Sequence, residues 1–337
     1  MTTHHPGRRA FLVSVGIAAI AGCADDSPTE NGESADDEEG STDDGEDGDD
    51  GQEDDGATVD DHIETALDAL RSAESTLGEE VEGFDGATDH VDFRTDAIER
   101  DLDDAEAALD DAAVGADPDQ EDRIDAIRDT ISWIRALTDT LDSLGTALDE
   151  FETAMDYWDV ERYEDATDRI EEAESALDDA GDHHTVAVDR FERVDGADID
   201  LELIDDARSD MADLDDAIKG LAPLLAGTRE MSRGFQAFFT GFDEFAEERW
   251  NAAASDLDES STRFESAEDR FRDGEEAAPV DMRSDFIDLT CMSGHFSDAA
   301  GHYRDAANAA DEGDWDAFDA SVDAGEAALD ASGDCEL

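Results

Sequence analysis

Apolar side chains recur at steps of three and four residues along most of the chain, and this periodicity limits the fold more than any other feature. The clearest series has steps of 4, 3, 3, 4, 3, 4, 3 and 4 and runs through Ile127, Ile131, Ile134, Leu137, Leu141, Leu144, Leu148, Phe151 and Met155. Such steps place every member on one side of an α-helix. Because no segment alternates convincingly like a strand, the sequence predicts an all-α fold of antiparallel helical hairpins, arranged as a bundle or a short irregular solenoid.

Two further series of the same kind follow, separated by Pro223, which is expected to end or kink a helix. The first contains Leu201, Ile204, the stem of Arg208, Met211, Leu214, Ile218 and Leu221. The second contains Met231, Phe235, Phe238, Phe242 and Phe245, which could line a ligand groove but at helical spacing are more often core. The predicted helices span residues 59–78, 88–113, 120–157, 161–180, 183–194, 199–221, 224–247, 249–272, 282–310 and 314–331.

The charge of the chain is extreme and one-sided. Its 337 residues include 100 acidic and 22 basic side chains, and Lys219 is the only lysine, giving a formal net charge of −78. Repulsion of this size destabilises a compact state, and at about 1 M salt a Debye length of about 3 Å screens it. The composition resembles that of proteins from halophilic archaea. The alternative is an acidic binding protein from an ordinary organism, but here the acid is spread over every predicted helix. Without a basic stripe, no nucleic acid partner is expected.

The N-terminal stretch "GRRAFLVSVGIAAIAGC" combines Arg8 and Arg9, a short apolar run over residues 11–22, and Cys23. The run is too short to span a membrane, and its order of features is that of a signal peptide. "RRAFL" resembles the twin-arginine export motif, and "IAGC" resembles a lipobox. The resemblance implies that residues 1–22 are removed and that a lipid on Cys23 anchors the protein to the outer face of the cell membrane. The alternative, a buried N-terminal strand, explains neither the arginines nor the cysteine.

Residues 23–58 are predicted to be a disordered acidic linker, and residues 59–337 an all-helical domain. Residues 24–58 contain 17 acidic and no basic side chains, a composition that cannot bury enough apolar area to offset the entropy of ordering. The acidic clusters lack the regular spacing and closing glutamate of a calcium loop, so a defined calcium site is not expected.

Three segments of the helical domain, residues 161–177, 248–264 and 313–329, align with one another. Each begins a helix with an aromatic residue, Tyr163, Trp250 or Trp315. Seven positions after each aromatic residue there is an apolar residue (Ile170, Leu257, Val322). Nine positions before each aromatic residue there is a small residue (Ala154, Gly241, Ala306). The pattern resembles the second helix of a tetratricopeptide repeat, which implies hairpins near 120–180, 224–272 and 282–331 and a tendency to bind proteins. The aromatics are 87 and 65 residues apart instead of about 34, so an ordinary helical bundle remains the alternative.

Once Cys23 is set aside, two cysteines remain, and the sequence leaves their role open. Cys291 and Cys335 lie at nearly equal distances from the expected turn near Glu312, so an antiparallel hairpin brings them close enough for a disulfide. Two free thiols are the alternative. A third interpretation is a metal site that uses Cys291, His295, Asp298 and His302, which share one side of a helix. It would need ligands from another helix, such as His183 or His184, and a solvated helix flank explains the same residues.

Nucleophile-elbow, phosphate-loop, zinc-protease and C-x-x-C motifs are all missing from the sequence, so an enzyme is not expected and no cofactor is assigned. The sequence predicts a cell-surface, lipid-anchored helical protein that acts as a protein-interaction or scaffold module in a high-salt environment. The alternative is an extracytoplasmic lipoprotein that binds a solute or a metal.

Overall fold

The computed structural model describes residues 57–83, 95–194, 202–278 and 282–335, and within these ranges the regular elements are α-helices. The signal peptide predicted over 1–22, its Arg8 and Arg9, Cys23 and the linker as far as residue 56 lie outside the described residues. The helices are α1 (Val59–Gly83), α2 (Thr95–Ala112), α3 (Pro118–Asp159), α4 (Tyr163–Val194), α5 (Glu202–Ala246), α6 (Trp250–Ala277), α7 (Arg283–Glu312) and α8 (Trp315–Ser332). The all-α prediction is confirmed.

Helix starts follow local capping chemistry. The Thr58 hydroxyl accepts a hydrogen bond from the backbone N–H of Asp61, while the Asp61 carboxylate accepts from the backbone N–H of Thr58, so α1 begins with a reciprocal cap. Asp117 and Gln120 form the same kind of pair at the start of α3, with Pro118 as its first residue. Pro118 therefore opens α3 two residues before the predicted start at residue 120.

Each helix packs chiefly against the helices that precede and follow it in the chain. The short connections after α3, α5 and α7 make the hairpins α3–α4, α5–α6 and α7–α8, at the three places predicted from the aligned segments. However, α3 has 42 residues and α5 has 45, so each is longer than an entire tetratricopeptide repeat of about 34 residues. The likeness to that repeat is therefore confined to hairpin packing.

Two hydrophobic cores lie on either side of the middle of α5. The first is formed by α1 to α4 and the N-terminal half of α5, and the second by the C-terminal half of α5 with α6 to α8. Leu224 belongs to the second core and Leu225 to the first, because neighbouring helical residues point in different directions. Trp158 and Leu221 pack against both cores. The long helix α5 thus joins the two halves of the domain.

The prediction that Pro223 separates two helices was wrong, because α5 continues through it. Proline removes one backbone hydrogen bond, but the leucines beside it are packed into both cores and hold the helix in place. The predicted break near residues 181–182 was also wrong, since α4 runs unbroken to Val194. Here the His184 ring makes a 2.8 Å hydrogen bond with the Met211 carbonyl of α5, and this contact supports the second half of α4.

Glycines on α5 allow α6 to approach very closely. Gly227, Gly234 and Gly241 are spaced seven residues apart, and each faces a large side chain of α6: Phe271, Phe264 and Leu257 respectively. A Cβ atom on these glycines would lie 2.3, 2.8 and 2.8 Å from the facing side chain. As the residue numbers of the glycines on α5 increase by seven, the residue numbers of their partners on α6 decrease by seven. An antiparallel helix pair with a heptad repeat requires this relation. This glycine seam, formed by the three pairs, fixes the register of the second core.

Several of the arginines bridge neighbouring helices. The guanidinium group of Arg135 on α3 contacts three carboxylates of α2, those of Glu99 at 3.0 Å, Asp103 at 2.9 Å and Glu106 at 3.1 Å. Every consecutive pair from α2–α3 to α6–α7 has at least one such bridge. Further examples are Arg128–Asp110, Arg169–Glu150, Arg229–Glu174, Arg263–Glu230 and Arg304–Asp258. The scarce positive charge therefore lies where acidic helix faces would otherwise repel each other.

Replacing Arg135 by glutamine is expected to destabilise the protein by about 1 kcal/mol at low salt and by less in molar salt. The reason is that three carboxylates of α2 lose their common counter-charge, and salt screens the repulsion that remains. Urea unfolding followed by circular dichroism at two salt concentrations measures the difference. The control is Arg71→Gln, which removes only an exposed pair with Asp68 on the same helix. Equal loss in both variants, or a loss for Arg135→Gln that grows with salt, would contradict this role.

Candidate functional site

The last hairpin, α7–α8, carries the two clusters of side chains that most resemble functional sites. α8 has no following helix in the described chain, and Gly325 is its only fully buried residue there. Gly325 lies against the ring of Tyr303 on α7, where a Cβ atom would be 2.9 Å from the ring. Burial raises the pKa of Tyr303 to about 12, so this phenol stays neutral as it packs against α8. α8 therefore docks with a single buried residue, Val322 and Leu329 pack partly buried against the second core, and half of its residues are exposed.

At the open end of this hairpin, the structure pairs Cys291 of α7 with Cys335, which follows α8. The two Sγ atoms form a disulfide, and the Cα atoms lie 6.0 Å apart. The chain turns back at Gly313, which has a positive φ of 77° and is next to the predicted turn residue Glu312. α8 contains no basic residue that could form an arginine bridge to α7. A covalent bond, the disulfide, ties the end of α8 to α7 instead.

His295 lies one helical turn after Cys291 and joins the two cysteines in one group. The ligand atoms of Cys291, His295 and Cys335 all lie within 4.8 Å of one another. Cys291 is exposed, whereas the other two side chains are half-buried. Among the described residues, this is the group of metal-type ligands that the fold brings together. We refer to it as the Cys–His–Cys cluster.

The metal set proposed from sequence is only partly brought together. Asp298 and His302, the later members of that set on α7, lie outside the Cys–His–Cys cluster. His183 and His184 are not part of it either: His183 faces Asp139 of α3 at 3.9 Å, and His184 is buried against α5. Cys335, predicted to be half of a disulfide or a free thiol and not a metal ligand, lies beside His295. A ligand from the far end of a hairpin cannot be found from spacing along one helix.

Four aromatic side chains form a patch at the opposite end, where α7 turns into α8. Phe245 of α5 packs edge-on against Trp250 of α6, with ring centres 5.1 Å apart, and stacks on Phe318 of α8 at 5.6 Å. Trp315 packs edge-on against Phe318 at 5.6 Å. Trp315 is 57% exposed, and the other three are half-buried. We refer to these four residues as the aromatic patch.

The aromatic patch is surrounded by negative charge. Exposed carboxylates in the turn and in the first part of α8 belong to Asp311, Glu312, Asp314, Asp316 and Asp319. Arg249 is nearby in sequence, but its guanidinium group is engaged by Glu244 and Glu247. A partner for this surface would have to accept a bulky indole and tolerate an acidic rim.

The phenylalanine series at 235–245 is core and does not line a groove. Phe238 is buried, and the Phe235 ring lies 5.0 Å from Phe264 and 4.8 Å from Phe296, both in edge-on contacts. Only Phe245, the last of the series, reaches the aromatic patch. The interpretation as core is therefore correct for this series as a whole.

Comparison with protein-family models, with curated proteins and with solved structures finds no match for this chain. None of the described helices combines the length and the apolar character that crossing a bilayer requires.

Proposed function

We propose that this protein is a lipid-anchored helical module on the outer face of the cell membrane, and that it binds another protein through the aromatic patch in a high-salt medium. The observation that carries the proposal is the exposure of Trp315 on α8, the last helix of the described residues. A tryptophan that is 57% exposed keeps a large apolar surface in water, a costly arrangement that a bound partner relieves. Tryptophan is also among the residues most enriched where binding energy concentrates in protein interfaces.

The other helices support this surface through Phe318. Phe318 contacts the Trp315 ring, stacks on Phe245 of α5 and packs edge-on against Trp250 of α6. A preorganised side chain loses little conformational entropy on binding. The patch therefore resembles an interface anchor more than a loosely exposed core residue.

The chemistry of the surface defines the partner that fits it. The partner should offer an apolar pocket for the Trp315 ring and arginine or lysine side chains facing the acidic rim. Screening at molar salt weakens the charge pairing, whereas salts that are excluded from protein surfaces strengthen apolar burial. In a salt-rich medium the indole pocket would then contribute most of the affinity, and the rim charges would mainly set orientation.

Trp315→Ala is expected to weaken partner binding by at least about tenfold, in line with the loss of a tryptophan at the centre of an interface. Partners are captured from detergent-solubilised membranes in native salt and quantified for the wild type and the variant. Ile287→Ala is the matched control, because Ile287 is 50% exposed on α7 but lies outside the aromatic patch. If Trp315→Ala and Ile287→Ala retain the same partner equally well, the aromatic patch is not the binding surface.

The membrane anchor has a separate test, since it depends on Cys23 and not on the helical domain. Cys23→Ser is expected to leave the exported chain without lipid and to release it from the membrane fraction into the medium. Mass spectrometry of the wild type should show a lipidated N-terminal cysteine with residues 1–22 removed. A wild-type protein that carries no lipid and stays in the cytosol would contradict the anchor, whatever the aromatic patch binds.

A further inference from the structure

We propose that the Cys–His–Cys cluster becomes a metal site when the disulfide is reduced. While the disulfide is intact, its two sulfur atoms are bonded to each other and do not bind the ion. In the reduced chain, Cys291, His295 and Cys335 would bind one Zn²⁺ ion through two thiolates and one imidazole nitrogen. The ion would then tie Cys335 to α7, as the disulfide does in the oxidised chain. The open end of the last hairpin would thus be cross-linked either by the disulfide or by the bound ion.

The geometry supports one ion shared by all three side chains. Cys291 and His295 are four residues apart on α7 and so lie on the same side of the helix. The third ligand atom, from Cys335, arrives from beyond α8, and no pair of ligand atoms is more than 4.8 Å apart. In a tetrahedral zinc site with Zn–S bonds of about 2.3 Å, two sulfur atoms lie about 3.8 Å apart. The three ligand atoms are therefore already close enough to share one ion once the bond between the two sulfurs is broken.

The donor set selects a particular class of metal. Two thiolates and an imidazole are ligands for zinc and similar borderline or soft ions, whereas the hard ions of a saline medium prefer oxygen. Carboxylates, which are abundant in this chain, are ligands of the kind that hard ions prefer. The Cys–His–Cys cluster is distinct from that background because its sulfur ligands are chemically different. Three protein ligands leave a fourth position of the ion for solvent.

The opening step is an ordinary thiol–disulfide exchange. A dithiol reductant transfers two electrons to the Sγ–Sγ bond of Cys291 and Cys335, which breaks, and each sulfur gains a proton as the reductant becomes a disulfide. Zn²⁺ then displaces the two thiol protons into solvent and accepts a lone pair from the neutral imidazole of His295. A low-molecular-weight disulfide would reverse the step: it accepts the two electrons and becomes two thiols as the Sγ–Sγ bond forms again, and the ion is released because both sulfur ligands are consumed in that bond.

The test uses the full chain carrying Cys23→Ser, so that Cys291 and Cys335 are the only thiols, with Co²⁺ as a spectroscopic probe for the zinc site. The reduced protein, freed of dithiol under anaerobic conditions, is expected to bind one Co²⁺ about 100-fold or more tighter than the oxidised protein does. It should also show the thiolate-to-cobalt charge-transfer band. Competition with Zn²⁺ should remove that band at one ion per chain.

His295→Ala separates a metal site from a simple pair of thiols. It keeps both cysteines and the disulfide, and it is expected to weaken binding in the reduced chain by about tenfold or more. His302→Ala, on the same helix but outside the Cys–His–Cys cluster, is the control and should bind as the parent does. Equal Co²⁺ binding by reduced and oxidised chains, or by His295→Ala and the parent, would overturn the proposal.

Discussion

Gly227→Ala is expected to destabilise the protein by about 1–3 kcal/mol, although alanine is intrinsically the better residue in a helix. The added Cβ would lie 2.3 Å from the ring of Phe271, a fully buried side chain. The helices α5 and α6 would have to separate, and the other contacts of the glycine seam would loosen with them. Thermal and urea unfolding of the purified protein in native salt measure the effect.

A matched pair of variants shows whether close approach is the cause. Gly78→Ala on α1, where a Cβ would meet nothing within 4 Å, should stabilise the protein by up to about 1 kcal/mol. Phe271→Leu combined with Gly227→Ala should recover part of the lost stability, because the smaller side chain leaves room for the new methyl group. A stabilising Gly227→Ala, with the same sign as Gly78→Ala, would show that α5 and α6 are not packed as described.

Loss of the disulfide is expected to have the second large effect. Cys291 and Cys335 are separated by 44 residues, and closing a loop of that size restricts the unfolded chain by about 4 kcal/mol in the chain-entropy account. In Cys335→Ser, α8 is expected to detach before the rest of the domain unfolds, because its main buried contact is the narrow one between Gly325 and Tyr303. Hydrogen exchange should therefore accelerate earlier and more strongly in α8 than in α3 and α4.

The control for this prediction is Cys23→Ser, which leaves the disulfide intact and should unfold like the parent domain. Adding a dithiol reductant to the Cys23→Ser protein, in the absence of transition metal, should reproduce the faster exchange seen in Cys335→Ser. If reduction changes neither the unfolding midpoint nor the exchange of α8, the link between Cys291 and Cys335 contributes no stability.

The apolar periodicity was sufficient to predict the helices, because burial of one helix face requires it whatever the tertiary arrangement. Of the series from Ile127 to Met155, all members are buried or half-buried on α3. The periodicity did not reveal Trp133, which is completely buried and packs against Phe191 of α4. Both α2 and α4 pack against α3, so two of its faces are buried. One periodic series of apolar residues indicates only one buried face and therefore does not reveal the second packing helix.

The misplaced breaks have a related cause. Pro223 is a reliable signal for a local loss of hydrogen bonding, but whether the helix ends depends on the contacts around it. Leu224 and Leu225 enter different cores, and this tertiary contact was not readable from their positions in the chain.

The candidate sites were predicted unequally. The nearly equal distances of Cys291 and Cys335 from the turn indicated that they lie close together, because a helical hairpin relates sequence distance to position, but they did not decide between a disulfide and two free thiols. The exposure of Trp315 could not be predicted, since the same aromatic position is buried in the first aligned segment, at Tyr163. What differs is that the described chain has no helix after α8 to cover it. The acidic partner of each arginine could not be predicted from the sequence either. With 100 acidic residues in the chain, every arginine has many carboxylates at a suitable sequence spacing.

The most direct test of the proposed function is site-specific photocrosslinking on intact cells in native salt. A photoreactive residue at Asp319, one turn beyond Trp315 on α8, should crosslink to one partner protein, and the added Trp315→Ala substitution should abolish that product. The same photoreactive residue at Val160, which is 63% exposed between α3 and α4, should give no such product. Identical products from both positions, or a product at Asp319 that persists without Trp315, would contradict a protein-binding role for the aromatic patch.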